Sequence, residues 1–253
     1  MTGVVILILR KEERRMGFNY VDQARLFCRN DIPPINIIGA GGATNCVIVC
    51  LATMGVREIH IYDGDRLEER NGAGEPMYSD QDIGEFKVKA ACNTVAYLRS
   101  GSDVKVVPHE MFVDKTMEFD GLVISGVDSM SARREIWEAV KKSPMVPLYV
   151  DFRSTGTSLT VLVVDPNDED DVRGYEDMWM YTDGEAIQDV CGARNIPYIA
   201  LEAGSLAGRI VAAYADRSLD FFLEGGIEKT IYFAEQDPFL QVGSGVSMLT
   251  YDQ

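Results

Sequence analysis

The chain predicts an α/β fold, a Rossmann-like doubly wound, mostly parallel sheet with an antiparallel C-terminal extension. Three observations predict it. Short apolar runs alternate with helical periods from Ile35 to Val150, the rhythm of strand–helix–strand units. A glycine-rich turn, GAGG at Gly39 to Gly42, joins the first apolar run to the first helical one. After Val150 the rhythm changes, and the apolar run 158–164 reads as a strand returning antiparallel.

The elements follow in order. The apolar run VVILIL at 4–9 reads as a buried or edge strand, and Met16, after the charged stretch 10–15, is an alternative start. Residues 22–27 suit a short helix, which Pro33 and Pro34 stop before the strand 35–38. Cys46, Val47, Cys50, Leu51 and Met54 repeat at helical spacing, with the helix starting near Gly42 and stopping at Gly55. The strand 58–62 comes next, then a polar stretch, 64–82, too long to be a plain connector and therefore expected to be functional or mobile. Further expectations are a helix at 86–98, strands at 104–107, 121–125 and 146–150, and an amphipathic helix at 129–141. PNDEDD at 166–171 reads as an acidic turn or solvated loop. The small-residue-rich helix 196–215 is expected to break or kink at Gly204 and Gly208.

Length and composition narrow the function classes. At 253 residues one large domain with elaborations is expected: an N-terminal strand and helical arm over 1–34, and a nucleotide-binding domain with a C-terminal elaboration over 35–253. Forty acidic against 24 basic residues give a net charge of −16, which argues against unaided binding to DNA, RNA or anionic membranes. No apolar run approaches the roughly 20 residues of a membrane helix. The five cysteines, Cys28, Cys46, Cys50, Cys92 and Cys191, form no CxxC pair, so neither a disulfide framework nor a four-thiolate zinc site is indicated and a cytoplasmic location is expected.

The glycine turn carries the chemistry. Gly39 lets the chain turn tightly, Gly41 leaves room for phosphate beside the backbone, and the following helix directs its free N–H groups at the anion. Asp63 ends the second strand roughly 20 residues on, where a carboxylate accepts from ribose hydroxyls. Thr44 stands where the third conventional glycine is expected. An NAD-binding Rossmann oxidoreductase fits this much equally well.

Residues beyond the turn are more specific. GAGG, YDGD at 62–65, Asn71, DIGEFK at 82–87 and SGVDSMSARR at 125–134 occur in an order that resembles the ThiF/MoeB/HesA superfamily, adenylating enzymes that include the activating enzymes of ubiquitin-like proteins. The resemblance covers roughly residues 20–215. It implies that Gly39, Gly41 and Gly42 hold ATP phosphates, that Asp63 binds ribose, and that Asp65, Asn71 and Lys87 contact ribose or phosphate. It gives Asp128 a magnesium ion and a catalytic role, and Arg25 a reach into the neighbouring subunit of a homodimer. The implied reaction is ATP- and Mg2+-dependent adenylation of the C-terminal carboxylate of a ubiquitin-like or sulfur-carrier protein with a Gly-ending tail.

The residue types suit that chemistry. A carboxylate is a poor acyl donor until its oxygen is made a good leaving group by AMP. The attacking carboxylate and the α-phosphate are both anions, and Lys87 and Arg25 offer fixed positive charge. Asp128, at the end of a strand, suits a magnesium ion that keeps several waters. It also precedes Ser129 at a helix start, where capping is an alternative role.

Two features depart from the family. Many members carry an arginine shortly after the loop asparagine, whereas here Asn71 is followed by GAGEP at 72–76, and Arg70 is a candidate substitute. This leaves open a catalytically weakened binding or assembly module. Cys191, in DVCGARNIPY beside Arg194, is the candidate nucleophile for a thioester step, with a buried free thiol as the alternative. Cys46 and Cys50 read as core-facing, and His60 and His109 show no partners for a Ser-His-Asp arrangement.

Overall fold

The computed structural model describes residues 20, 23–154, 159–182, 184, 196–217, 219 and 230–234. The strand expected at 4–9, Met16 and Cys191 lie outside the described residues, as does the side chain of Arg25, whose backbone closes a 3-10 turn at Gln23–Arg25. Among the described residues no helix is long and apolar enough to cross a membrane.

Strand β1 (Ile35–Ile38) is buried along its whole length. A four-residue apolar strand with no wet face has to be covered on both sides, and it is. Ile35 and Ile37 enter one core with Leu51 and Ile210, while Ile38 enters the opposite core with Trp137 and Tyr149. Parallel partners flank it, β2 (Glu58–Tyr62) on one side and β4 (Leu122–Ser125) on the other. Beyond them lie β3 (Lys105–His109) and β5 (Tyr149–Ser154), also parallel, then β6 (Leu159–Val164) antiparallel to β5, and β7 (Thr230–Ala234) antiparallel to β6. The sheet order is β3-β2-β1-β4-β5-β6-β7. The order in which strands are added from the centre therefore reverses between β1 and β4, and α/β sheets bind ligands beyond the C-terminal ends of the strands at such a point.

Helices α1 (Thr44–Met54), α2 (Lys87–Leu98), α3 (Met130–Lys141), α4 (Glu169–Trp179) and α5 (Pro197–Ala215) cover the faces. Three differ from expectation. α1 starts at Thr44 rather than near Gly42, leaving both glycines in the turn. The acidic stretch 166–171 launches α4: the Asp168 carboxylate accepts from the N–H groups of Asp170 and Asp171, and three acids sit against the positive end of the helix. α5 runs unbroken through Gly204 and Gly208. Those glycines serve helix contact instead, since a Cβ on Gly204 would stand 2.8 Å from the Cys46 carbonyl oxygen and one on Gly208 would stand 3.0 Å from Cys50 Sγ. The same contact makes Cys46 and Cys50 packing residues of α1. β3 also extends past 107 through Pro108, which a strand at the sheet edge tolerates because its missing N–H faces no partner.

Candidate nucleotide site

The site is built on the turn between β1 and α1. Gly39 adopts φ +91°, a left-handed conformation, and its N–H donates to the Tyr62 carbonyl at 2.8 Å. A Cβ there would stand 2.7 Å from the Gly126 carbonyl oxygen, so β1 and the segment after β4 meet at this glycine. Gly126 in turn yields to Thr44, whose Cγ2 lies 2.5 Å from the place a Gly126 Cβ would take. The close approach normally given by a third glycine is supplied here from the opposite strand.

Asp63 holds the turn to β2. Its Oδ2 accepts from the Ala40 N–H and its Oδ1 from the Asp65 N–H, both at 2.8 Å. Burial pushes its carboxyl above the ordinary value, against the pull of those two N–H groups and of Lys87. Asp65 is exposed beside it, and the exposed ring of Phe112 lies over Gly64 between them.

The loop 64–82 is ordered by returning to its own start. Leu67 N–H donates to the Glu85 carbonyl, Gly84 N–H to the Leu67 carbonyl, and Lys87 N–H to the Asp65 carbonyl at 3.0 Å. Lys87, the first residue of α2, is thereby carried to the glycine turn. Asn71 closes a 3-10 turn, its Oδ1 accepting from the Glu68 N–H at 2.8 Å, and its Nδ2 donates to Glu75 Oε1 at 3.2 Å. The Tyr78 hydroxyl donates to the Ala40 carbonyl at 2.6 Å and pins the loop to the turn.

Sequence reasoning missed Glu75. Its Oε1 lies 3.3 Å from Lys87 Nζ, with the two side chains 6% and 10% exposed. A Cβ on Gly41 would stand 3.4 Å from that oxygen and 3.5 Å from Lys87 Nζ, so a buried ion pair lies against the glycine expected to admit phosphate. Its only sequence signal was an acid in the stretch where a cation was expected. Arg70, the candidate substitute, pairs with Glu68 on the surface.

Asp128 follows β4 and is exposed. Ser129 is the cap of α3, accepting from the Ala132 N–H at 3.2 Å, which leaves the Asp128 carboxylate out of the capping bond. The backbone before it is clamped: Arg133 Nη2 donates to the Val127 carbonyl at 2.7 Å, and Arg133 Nε to Asp151 Oδ1 at 2.8 Å. Asp151 is fully buried and also takes Arg153 at 2.7 Å, Tyr175 at 2.9 Å and Ser125 at 3.1 Å. Burial raises its carboxyl, but the two guanidinium groups outweigh this and hold it below the usual carboxylate range. Nothing in SGVDSMSARR announced this network, since Asp151 comes from another strand.

Among the described residues no group of three or more histidines, cysteines or carboxylates is placed to hold a metal ion. A magnesium ion at Asp128 would therefore have at most two such side chains and would keep waters or ligand oxygens in its shell.

Comparison with known proteins agrees with this architecture. The model of the ThiF family matches residues 33–215, which include every element from β1 to α5. The chain belongs to the ThiF family. Among curated relatives, the NEDD8-activating enzyme E1 catalytic subunit of Arabidopsis thaliana is 34% identical over 110 residues, 42% of this chain and 24% of that one. The SAMP-activating enzyme E1 of Haloferax volcanii is 35% identical over 92 residues, 36% of this chain and 33% of that one. This ThiF-family chain thus spans about a quarter to a third of the curated relatives it matches. Its fold is also that of E. coli MccB solved with AMPCPP and MccA, at TM-score 0.57 and 17% identity over 75% of this chain and 58% of that one.

Proposed function

We propose that the chain adenylates the C-terminal carboxylate of a small ubiquitin-like or sulfur-carrier protein at the expense of ATP. The observation that carries the reading is the convergence of Gly41, Asn71 and Lys87 at the turn after β1, through contacts with Glu75. A dinucleotide-binding oxidoreductase needs the glycine turn and Asp63 but has no use for a lysine delivered to Gly41 by a returning loop. Membership of the ThiF family and relatives named as E1 activating enzymes support the same choice.

In this reading each residue has a task. Gly41 gives a phosphate access to backbone N–H groups, and Lys87 neutralises charge as two anions approach. Asp63 and Asp65 lie where a ribose would be read, and Phe112 offers the base a flat apolar face. Asp128 holds a magnesium ion, which supplies charge neutralisation on the phosphates when bound. Arg25 reaches the nucleotide of a second copy in a homodimer. Cys191 takes the acyl group as a thioester in a second step. The acidic surface and absence of a CxxC pair fit a cytoplasmic protein acting on a protein partner.

ATP–pyrophosphate exchange is the test. Exchange that depends on a small carrier protein ending in glycine, and that is lost in Lys87→Ala and Asp128→Ala, is expected; no exchange and no ATP binding would sink the reading. A reducible carrier adduct that disappears in Cys191→Ser would establish the thioester step, and release of free adenylate from an unmodified enzyme would exclude it. Retained ATP binding without exchange would favour a weakened assembly module, a reading to which the pairing of Arg70 with Glu68 lends weight.

A further inference from the structure

Glu75 occupies a position that the proposed reaction does not explain. It is an acid, 5% exposed, beside the glycine turn and the lysine expected to meet phosphate. Its Oε1 collects both Lys87 Nζ at 3.3 Å and Asn71 Nδ2 at 3.2 Å, two donors to which the family resemblance gives contacts with ribose or phosphate. The same oxygen lies 3.4 Å from where a Cβ on Gly41 would stand. The carboxylate thus sits beside the glycine expected to admit phosphate, holding two of the ligand's expected donors.

We infer that Glu75 is an internal counter-anion of the phosphate site: it holds Lys87 and Asn71 over the glycine turn and must share or surrender them when a polyphosphate binds. The inference rests on the reading that the site takes ATP, and it adds a residue that sets the affinity for the polyphosphate part of the ligand. A phosphate seated at Gly41 meets a carboxylate within a few ångströms in a poorly hydrated crevice, where like charges repel strongly. It can gain Lys87 only by loosening the Lys87–Glu75 pair, and Asn71 only by turning its amide. Glu75 is therefore a positioning residue: it keeps a buried lysine from lying unpaired, at the cost of weaker binding.

The geometry sets the direction of the effect. Glu75→Gln keeps the size of the side chain and an oxygen that accepts from Lys87 while removing the negative charge. Glu75→Asp keeps the charge but withdraws it from Gly41 by one methylene. Both should tighten ATP, the first by about tenfold and the second by less, since a tenfold change needs only the modest energy of one screened charge pair. Adenosine, which lacks phosphate, should bind all variants alike. Lys87→Met should lose ATP affinity whatever stands at position 75.

Calorimetric titration of the full chain with ATP and magnesium, inorganic tripolyphosphate, and adenosine tests this at fixed ionic strength. Tighter ATP and tripolyphosphate in Glu75→Gln with unchanged adenosine supports the inference. Equal or weaker ATP binding overturns it, as does an equal gain for adenosine, which would mark a general loosening of the loop. If Glu75→Gln fails to fold, Glu75→Asp carries the same comparison with the negative charge retained but drawn back from the turn. ATP binding that is identical in every position-75 variant removes this inference alone, whereas no ATP or tripolyphosphate binding in any protein removes it together with the adenylation reading.

Discussion

The Thr44 methyl and Gly126 are a matched pair: Thr44 Cγ2 lies 2.5 Å from the place a Gly126 Cβ would occupy, and Thr44 is fully buried. A β-branched residue at the start of α1 is admitted because the chain after β4 has no side chain opposite it. Gly126→Ala is expected to cost about 1–3 kcal/mol through overpacking. Thr44→Ser in the same protein should recover most of this, a coupling that urea denaturation of the two single variants and the double variant will measure.

Gly39 and Gly41 have different duties and should fail differently. Gly39→Ala puts a side chain at φ +91° and 2.7 Å from the Gly126 carbonyl oxygen, so a stability loss of at least about 1–3 kcal/mol is expected in thermal unfolding. A Cβ on Gly41 meets its nearest atoms at 3.4 and 3.5 Å, ordinary contact distances. Gly41→Ala should therefore melt like the wild type and bind ATP poorly. Normal ATP affinity in Gly41→Ala would remove phosphate from the surface of this turn.

Asp151 is expected to control the acid stability of the fold. Its folded value lies below the unfolded one of about 3.9. Its contribution is thus fully present above the unfolded value and is lost as pH falls through the folded one. Asp151→Asn leaves Arg133 and Arg153 buried without a countercharge, a change costing about 3–5 kcal/mol near neutral pH. The melting-temperature gap to wild type should narrow as pH drops below about 4; a gap independent of pH would mean that the carboxylate charge is not what matters.

Thiol reactivity should sort by burial. Burial, with the neighbouring Cys50 adding to it, pushes Cys46 up to about 12, and burial pushes Cys92 up to about 11. Cys28 is exposed. At pH 8 an aromatic disulfide reagent should label Cys28 within minutes and leave Cys46 and Cys92 unmodified until the protein is denatured. Rapid labelling of Cys46 in the native protein would contradict the α1–α5 contact.

Much of the fold was legible because local signals agreed. Pro34 and Gly39 bracket β1, and Gly55 ends α1 in a left-handed conformation, so their limits could be read along the chain. The failures share a cause. The acids 166–171 were read as an acidic turn or solvated loop; residues 166 and 167 do form a turn, but Asp168 spends its carboxylate on two backbone N–H groups and the acids after it begin α4. Gly204 and Gly208 were read as a break or kink because glycine weakens a helix, yet α5 is unbroken and the nearby α1 backbone and side chains are what require them.

The amino-acid order by itself determined the periodicities, the glycine turn and the carboxylate at the end of β2, since these depend on residues near one another along the chain. It also determined family membership, carried by motifs of fixed order. Only the tertiary structure decided that Glu75, from the loop, and Lys87, from the start of α2, meet over Gly41, and that Arg133 and Arg153 converge on Asp151. Such pairs form where a returning chain excludes water and brings distant groups within a few ångströms. Their strength comes from that exclusion, which no local stretch of sequence contains.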